Sequence, residues 1–552
     1  MVVPKIIKKL DRFEITLFLA LFAFSVLLMW KTFQVTPDGN LKLASRVWSD
    51  FAATIPLIRS FSLGSNFPPQ YPIFAGPPIR YHFAFFATVG LMEKIGIRLD
   101  WALNSLSTMS FFLLTIAIYY LGKIIFKSKK VGILSVILFL FNGSWGFLEF
   151  FRKNPISLNI LDDMVKNREF SSFGPYDGKI VSAFWSLNIF TNQRHLALGY
   201  ASFLFLILGF YIFSKHPGKL TWAKTLLMGI FLGLFPFIHL AAFAMMGIAL
   251  ATFFLIYPKL RTKLLVVGTI AIILAIPQYL YMGSPAGETK LFNPGYLVED
   301  KTLYGYLTYW FMNLGIGLIL GPTGFILANK SQRKLLIPFI VLFIIGNLFQ
   351  FSPEVAANHK FFNLYSTGAN IFVAYLLVKL WKNKYIGKVG FSVLLLSLTL
   401  TGIIDLFPIL NDKYITLEDI PNNKVANFIK ESTPKDAVFL NAQFLYDPAS
   451  IAGRKIFMGW PYFPWGTGYD THKRGQAMEN ILDSSNIYSM CNLLEKEGLD
   501  YIEIQKPTTL EDIYINYSFF EENFEKIYYD PKNEFSIYKP GTSCDRLTPS
   551  IN

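Results

Sequence analysis

The sequence predicts an α-helical polytopic membrane protein with about 11 transmembrane helices, followed by a small extracytoplasmic α/β domain. Three observations carry this prediction. Of the 552 residues, 53% are hydrophobic and only 16% are charged, and the mean hydropathy is +0.39. Apolar runs of about 20 residues, the length that crosses a bilayer as a helix, recur along most of the chain. After residue 411 the composition becomes polar and charged.

The apolar runs give the positions of the predicted spans. They lie at 14–34, 103–122, 131–150, 196–214, 222–237, 239–257, 263–281, 304–326, 335–351, 364–381 and 388–408. Basic clusters occupy alternate connections, at 5–12, 123–130, 215–224, 259–263, 330–334 and 379–388. Lysine and arginine concentrate in cytoplasmic loops. We therefore predict an integral plasma-membrane protein with a cytoplasmic N-terminus and an extracytoplasmic C-terminal domain.

Two stretches need a separate interpretation. The stretch 82–97 is apolar, but a span there would move the basic cluster 123–130 to the outside. We therefore expect an interfacial or re-entrant helix. The stretch 222–257 is basic at both ends and is predicted to form a hairpin that turns near Pro236 and His239.

The formal net charge of +14 does not indicate nucleic-acid binding. The basic residues form short clusters between apolar runs, without a basic stripe of interleaved stacking aromatics. No cleavable signal peptide is expected, because the first apolar run is long and no small-residue cleavage site follows it. The two cysteines, Cys491 and Cys544, are too few for a thiolate metal cluster. Pairing between them and two separate thiols both stay open.

The first outer loop, 35–102, contains two acids that are candidates for chemistry. Apolar residues recur at helical spacing from Leu43 to Leu63, which predicts an amphipathic interfacial helix that carries Asp50. Asp38 follows the first span closely. A carboxylate at the bilayer surface can act as general base on a hydroxyl group. The alternatives are a Pro-Asp-Gly turn for Asp38, and an N-cap or a salt bridge to Arg46 for Asp50.

Polar residues gather at the outer ends of other spans. Five of the six histidines fall at or beyond the predicted outer face, among them His195 and His359. Arg194 and Lys360 lie on separate outer loops and can neutralise a phosphate together, although an arginine at this depth can also extend towards the headgroups. Longer outer loops would also collect more polar residues of every kind.

The C-terminal domain, 412–552, alternates predicted helices and strands, which is typical of an α/β fold. Its segment 452–474 contains Gly-aromatic turns and two tryptophans between Arg454 and Arg474. Aromatic faces beside arginine suit a sugar phosphate, and they equally suit docking on the membrane surface. Phosphate-cradling loops, His-Glu-x-x-His and Gly-x-Ser-x-Gly are absent from the sequence, which argues against an ATP-driven pump and an intramembrane zinc protease.

The order of these features resembles the GT-C glycosyltransferases, and an uncharacterised bacterial and archaeal branch related to protein O-mannosyltransferases and aminoarabinose transferases in particular. The matching pieces are short and spread over nearly the whole chain. They are Asp50 with Ser60-Phe61-Ser62-x-Gly64-x-Asn66-Phe67-Pro68-Pro69, Phe74-Ala75-Gly76, Tyr81-His82, Gln193-Arg194, Gly233-Leu234-Phe235-Pro236-x-x-His239, Asn358-x-Lys360-Phe361 and Ala452-Gly453-Arg454. The resemblance divides the chain into a multispan GT-C-like domain, 1–411, and the soluble domain, 412–552.

The resemblance implies an inverting hexosyl- or pentosyltransferase of the cell envelope. It would move a sugar from a polyprenyl-phosphate donor to a glycan, lipid or protein acceptor at the extracytoplasmic face. Asp50 matches the catalytic base by motif, and Asp38 by its distance from the first span. Binding of substrate or lipid phosphate would fall to a larger set: Arg80, His82, Gln193, Arg194, His239, Asn358, Lys360 and Arg454. A divalent metal is possible, but no ligand spacing indicates one, so no cofactor is expected.

Two departures from the family pattern keep other functions open. Relatives tend to carry His four residues after the loop acid, where this chain has Thr54, and Asp before the Asn-x-Lys motif, where it has Ala357. Altered substrate choice or lost activity would follow. The alternatives are a transporter or flippase for a lipid-linked or polar solute, and a non-catalytic envelope protein that binds glycan or lipid.

Overall fold

The computed structural model describes residues 10–171, 180–283, 291–383, 385–510 and 513–545. It divides into two compact units. The helical unit comprises Met1–Thr32, Asn104–Ile276 and Lys290–Lys413. The mixed unit comprises Phe33–Leu103, Pro277–Thr289 and Tyr414–Asn552. The first outer loop is thus grouped with the C-terminal region, whereas the sequence predicted a division between residues 411 and 412.

From residue 10 to residue 94, the described chain alternates short strands with three α-helices. These are α1 (Arg12–Trp30), β1 (Phe33–Val35), β2 (Leu41–Ala44), α2 (Trp48–Ser62), β3 (Gln70–Tyr71), β4 (Phe74–Pro78) and α3 (Ala84–Lys94). A bilayer-spanning helix needs about 20 residues. The 11 residues of α3 are too few, as expected for the stretch 82–97.

Between residues 99 and 410, the regular structure of the described ranges is helical, apart from short 3₁₀ turns and an isolated β-bridge between Phe292 and Phe349. They are α4 (Leu99–Phe126), α5 (Lys129–Leu140), α6 (Gly146–Lys153), α7 (Ile160–Val165), α8 (Ser182–Trp185), α9 (Asn188–Asn192), α10 (Leu196–Lys215), α11 (Trp222–Gly233), α12 (Pro236–Ile256), α13 (Arg261–Met282), α14 (Leu303–Leu314), α15 (Gly317–Leu327), α16 (Lys330–Leu348), α17 (His359–Trp381) and α18 (Tyr385–Leu410). The largely buried α17 packs against α5, α15, α16 and α18 and forms the centre of the helical unit.

The predicted fold class is confirmed. Within the described ranges, eight helices are long and apolar enough to cross a membrane, and α14 with α15, bent by 86°, can form a ninth span. Two predicted spans are shorter than expected, since α5 and α11 have 12 residues each. The helix predicted at 131–150 breaks after Leu140. There Gly143 lies so close to the backbone of Leu398 that a Cβ atom would come within 2.2 Å of its oxygen.

The predicted hairpin at 222–257 is present as α11 and α12. Pro236 occupies the first turn of α12, where a missing N–H costs nothing. His239 interrupts the helix with φ −166° and ψ 95°. Its Nδ1 then accepts a hydrogen bond from the backbone N–H of Ala242 at 3.2 Å. The side chain therefore caps the helix that continues beyond it.

Helices and strands alternate again in the C-terminal part of the mixed unit. They are β5 (Tyr414–Leu417), α19 (Lys424–Ser432), β6 (Val438–Leu440), α20 (Pro448–Ile451), β7 (Lys455–Ile456), α21 (Tyr462–Gly466), α22 (Thr471–Leu482), α23 (Ile487–Glu497), β8 (Tyr501–Gln505), α24 (Tyr517–Asn523), β9 (Glu525–Asp530), β10 (Phe535–Lys539) and α25 (Gly541–Cys544). A five-stranded sheet has the order β7-β6-β8-β10-β9. Strands β6, β7 and β8 pair in parallel, and β10 pairs antiparallel with both β8 and β9. A disulfide joins Cys491 to Cys544, so the paired alternative holds.

The first outer loop folds into this unit by strand pairing. Strand β2 lies between β1 and β5, with Leu43 opposite Ile415. The helix predicted from Leu43 therefore begins later, at Trp48, because the alternating residues before it pair as a strand. Helix α2 is also buried along most of its length, against α3 and α20. The prediction of an amphipathic helix lying on the bilayer is wrong for this element.

Candidate functional site

Asp50 lies in the first turn of α2, half-buried, beside three tyrosines of the mixed unit. Burial raises the pKa of Tyr71, Tyr81 and Tyr446, and the nearby Asp50 carboxylate raises it further. The Tyr446 hydroxyl donates to the backbone oxygen of Trp48, two residues before the acid. Phenols that stay protonated beside a carboxylate can orient it and any hydroxyl group that approaches it. Asp50 therefore has the surroundings expected of a general base.

Asp38 occupies a different environment, the exposed turn between β1 and β2. Its Oδ2 accepts a hydrogen bond from Asn40 Nδ2 at 2.7 Å. Hydrogen bonding to the Thr36 side chain is the largest influence that lowers the pKa of Asp38. Gly39 follows with φ +90°, a conformation that glycine permits. The geometry fits the turn alternative for Asp38.

Arg80 and His82 follow β4 and pack among aromatic rings. The Arg80 backbone N–H donates to the Tyr469 hydroxyl at 2.8 Å, and its guanidinium donates to the Gly468 carbonyl. The same guanidinium lies 5.0 Å from the Tyr469 ring centroid. His82 is buried, with its ring 4.0 Å from that of Tyr81. Arg80 thus connects the first loop to the segment 468–469.

Arg454 is only 1% exposed, and its guanidinium is surrounded by carbonyl and hydroxyl oxygens of the mixed unit. Its acceptors lie at 2.9–3.4 Å and are Thr433 Oγ1 and the backbone oxygens of Leu63, Ile429, Lys430, Thr433 and Ala452. Several of them are the last carbonyls of α19, where a cation also complements the helix dipole. Six acceptors for five N–H groups give Arg454 a structural role here.

The guanidinium N–H groups of Arg194 are likewise matched by acceptors inside the helical unit, where the side chain is fully buried. Its Nε donates to the Thr191 oxygen at 2.8 Å. One terminal nitrogen donates to Met29 Sδ at 2.8 Å and to Asn104 Oδ1 at 3.3 Å. The other donates to the Met29 oxygen at 3.3 Å and to Thr32 Oγ1 at 2.6 Å. Five acceptors thus match five N–H groups, so Arg194 ties the start of α10 to the end of α1.

Beside Arg194, the starts of α10, α12 and α17 come together at one end of the helical unit. The ring centroids of His195 and His239 lie 5.0 Å apart. Gln193 Nε2 lies 3.5 Å from His359 Nε2, and the Tyr200 hydroxyl donates to the Lys360 backbone oxygen at 2.9 Å. We call these side chains, with that of Lys360, the helix-start cluster.

The charges of the helix-start cluster suit an anion. The half-buried ammonium of Lys360 is close enough to act electrostatically on His195, His239 and His359. The starts of three helices add partial positive charge. Because His239 Nδ1 accepts a backbone N–H, the proton of its neutral ring lies on Nε2, which is then a donor. The cluster can therefore hold a phosphate group.

Asn358 holds this end of α17 in place. Its Nδ2 donates to the backbone oxygens of Gly346 at 2.9 Å and Phe349 at 2.6 Å, at the end of α16. The structure thus gives Asn358 a positioning role for its neighbours His359 and Lys360. Asn363, one turn later, donates through Nδ2 to His359 Nδ1 at 3.2 Å.

The predicted site residues fall into two groups. Arg80, His82, Arg454 and both acids belong to the mixed unit, and the others belong to the helical unit. Sequence reasoning did not assign Tyr71, Tyr81 and Tyr446 to the site of Asp50, nor Asn363 to that of Lys360. The tyrosines approach Asp50 through contacts between segments that are distant in the chain, which the sequence does not show. The spacing of Asn363, four residues after His359, was the one visible sign.

No family model and no curated protein matches the sequence. Among solved structures, ArnT from Cupriavidus metallidurans bound to undecaprenyl phosphate aligns with 96% of this chain and 98% of its own, at 11% identity and a TM-score of 0.51. Its apo form gives 12% identity and a TM-score of 0.49 over the same shares. The oligosaccharyltransferase AglB from Archaeoglobus fulgidus, in complex with an inhibitory peptide and a dolichol-phosphate, gives 13% identity and 0.41 over 98% of this chain and 76% of its own.

The likeness to the undecaprenyl-phosphate-bound ArnT shows the fold of the chain. The chain has the same polytopic fold as that structure, which confirms the fold expected from the resemblance.

Proposed function

We propose that the chain is a membrane glycosyltransferase that moves a sugar from a polyprenyl-phosphate donor to an acceptor at the extracytoplasmic face. The helix-start cluster carries this proposal, because it offers an ammonium group, imidazoles and three helix N-termini to one anion. The GT-C fold supports it, since the ArnT structure of the same fold holds undecaprenyl phosphate.

In the proposed reaction, Asp50 and Lys360 have complementary tasks. Asp50 accepts the proton of the acceptor hydroxyl as its oxygen forms a bond to the anomeric carbon. The bond from that carbon to the phosphate oxygen breaks, and polyprenyl phosphate leaves with the electron pair. Attack from the face opposite the leaving group inverts the anomeric centre. Lys360 and the imidazole donors stabilise the charge that develops on the phosphate.

Matched pairs of variants in one reconstituted preparation test the proposal. The substrates are radiolabelled polyprenyl-phosphate sugars, with water and candidate glycans as acceptors. Loss of a general base typically costs about 10²–10⁴-fold in rate. We expect Asp50→Asn to lower kcat by that order with little change in donor KM. Asp38→Asn, which preserves the turn hydrogen bonds, should retain activity. The opposite ranking of the two variants would transfer the role of base to Asp38.

The second pair tests the anion site on one helix. Lys360→Met should weaken binding of polyprenyl phosphate by about 10- to 100-fold, the effect of losing one charged hydrogen bond. Lys379→Met, in the last turn of the same helix α17, removes an equal charge and should leave binding unchanged. Equal effects of the two variants would refute a phosphate site at the helix-start cluster.

A non-catalytic lipid-binding protein is the second candidate, because Thr54 and Ala357 depart from the His and Asp that the resemblance implies at these positions. Thr54 is buried in α2, four residues from Asp50. This candidate predicts donor binding that depends on Lys360 without turnover of any donor. The same preparation distinguishes the two functions.

A further inference from the structure

Three large aromatic side chains of the mixed unit face solvent together. Trp460, Tyr462 and Trp465 are 40%, 44% and 41% exposed, and the last two rings lie 6.0 Å apart. We call these three residues the aromatic ridge. A group of exposed large aromatic side chains indicates a contact surface.

The backbone beneath the ridge is held firmly in place. The Gly459 N–H donates to the Ile73 oxygen at 2.8 Å, and the Trp460 N–H donates to the Phe444 oxygen at 2.9 Å. Beyond α21, the Tyr469 ring stacks on Phe74 with centroids 4.6 Å apart. The rings are therefore exposed although the segment that carries them is packed on both sides.

Contacts within the mixed unit place this segment near the end of a membrane-spanning helix. The Tyr281 hydroxyl donates to the Pro69 oxygen at 2.6 Å, and Ile79 N–H donates to the same oxygen at 3.0 Å. The Tyr469 hydroxyl donates to the neighbouring Pro78 oxygen at 2.9 Å and interacts electrostatically with Tyr281. Tyr281 belongs to the last turn of α13, the end of an apolar stretch that can cross the bilayer.

The outer end of α13 itself exposes apolar surface. Ile276, Tyr279 and Leu280 are 50%, 56% and 71% exposed. This is the surface that a spanning helix turns towards lipid. Contacts of Tyr469 and of the Pro69 oxygen thus connect the segment that carries the ridge to that helix end.

We propose that the aromatic ridge inserts into the lipid headgroup layer and anchors the mixed unit to the bilayer. Tryptophan and tyrosine rings combine an apolar face with one polar atom, which is the combination that this layer favours. The anchor would fix the mixed unit against the membrane from which a lipid-linked donor must come. It does not depend on the proposed transferase activity.

Two polar side chains that follow the ridge in sequence favour lipid over a sugar ring as its partner. A sugar platform needs hydrogen-bonding groups that are available beside the aromatic faces. Thr467 Oγ1 donates to the Phe463 and Pro464 backbone oxygens. Asp470 Oδ1 accepts the Lys473 N–H at 3.0 Å and caps α22. Both side chains serve their own helix ends.

Tryptophan quenching by nitroxide lipids tests the anchor in the full-length protein. The protein is reconstituted in nanodiscs whose lipids carry a nitroxide just below the headgroup. The emission of Trp460 and Trp465 is obtained as the difference between the native chain and the Trp460→Phe/Trp465→Phe variant. We expect the nitroxide lipids to remove roughly half or more of this difference emission.

A matched control places one tryptophan elsewhere on the same unit. Tyr488 is 60% exposed on α23, and Tyr488→Trp is introduced into the double-Phe variant. Its emission should resist the nitroxide lipids. Unquenched difference emission, or equal quenching of the control tryptophan, would overturn the proposal. Protection of the ridge emission by added oligosaccharide, without lipid quenching, would assign the surface to carbohydrate and overturn it as well.

Discussion

The carboxyl groups of Asp447 and Glu503 lie buried together in the mixed unit, 0% and 1% exposed. Asp447 accepts backbone hydrogen bonds from Gln443 at 3.1 Å and Ala449 at 3.0 Å. Glu503 is in the middle of β8, opposite Ile537 of β10. Burial is the largest cause that raises the pKa of both carboxyl groups. The negative charge of Asp447 raises the pKa of Glu503 further. The pair therefore holds a proton that two solvated carboxyl groups would release.

This shared proton makes the stability of the mixed unit depend on pH. The folded state binds more protons than the unfolded state, so stability falls as pH rises. The stabilisation by the shared proton is complete below about pH 4, the pKa of the two carboxyl groups in the unfolded chain. It is lost as the pH rises through their raised pKa values in the folded state. Glu503→Gln supplies a permanent donor to Asp447 and should remove this loss. At pH 8 it should add about 1–2 kcal/mol to the opening free energy.

Hydrogen exchange of the β8 amide groups between pH 5 and 8 measures this effect, after correction for intrinsic exchange. Glu521→Gln is the matched control, since Glu521 is an exposed carboxylate paired with Lys506 at 3.1 Å. That variant should keep the native pH dependence. If the opening free energy of the Glu503→Gln variant changed with pH as it does in the native chain, the buried pair would not hold the proton.

The residues of the candidate site were predicted with uneven success for a physical reason. The sequence shows that Arg194, Arg454 and Lys360 are cations, but it does not show their acceptors. In the structure the two guanidinium groups meet five or six oxygen and sulfur acceptors each, whereas Lys360 lies half-buried among histidines. Their roles as phosphate ligands stay predictions, and the geometry favours Lys360.

At the scale of elements, α2 meets the turn before β7 at two glycines. A Cβ atom on Gly64 would lie 2.1 Å from the Gly453 oxygen, and one on Gly453, at φ +79°, would lie 2.6 Å from the Arg59 oxygen. Arg59 also forms a buried ion pair with Asp419 at 2.6 Å. The two separate pieces that resembled the family, around Gly64 and Gly453, are therefore two sides of one contact.

Gly64→Ala should loosen this contact, since the new methyl group meets backbone that cannot move aside. Overpacking of this kind typically costs about 1–3 kcal/mol. Limited proteolysis of the reconstituted protein should show faster cleavage within 33–103. Gly475→Ala in α22 is the control, because its Cβ would lie 3.8 Å from Met458, an ordinary contact. Unchanged cleavage of the Gly64 variant would mean that α2 does not depend on this approach.

The elements themselves were predictable where their signal is local. Long apolar helices such as α10 and α17 follow from hydropathy. The start of α2 was wrong, because Leu41–Ala44 pairs with Tyr414–Leu417 across about 370 residues of sequence. The end of α5 was missed because the break depends on the approach of α18 to Gly143. Local periodicity does not contain such contacts.

At the scale of the whole molecule, composition was enough to predict a polytopic fold with a separate polar C-terminal region. It could not predict that Phe33–Leu103 and Pro277–Thr289 join that region in one compact unit. Strand pairing of β2 with β5 and the hydrogen bond from Tyr281 to Pro69 produce that grouping. Both contacts join residues far apart in the chain.

The orientation of the molecule remains a prediction from its basic loops, and the Cys491–Cys544 disulfide offers a direct test. Disulfides persist outside the cytoplasm. In intact cells, a membrane-impermeant maleimide should label neither cysteine before reduction. An impermeant phosphine reductant added from outside should then expose both thiols. Closing a 53-residue separation stabilises the folded state by about 4 kcal/mol in the chain-entropy estimate.

The Cys491→Ala/Cys544→Ala variant should therefore lose a comparable stability, and it supplies the unlabelled control. One other outcome is informative. Thiols that react only after the membrane is permeabilised would place the mixed unit in the cytoplasm and reverse the predicted topology. The predicted orientation places Asp50, which belongs to the mixed unit, on the outer side of the membrane. Reversal would put it on the cytoplasmic side and remove transfer at the extracytoplasmic face from the proposed function.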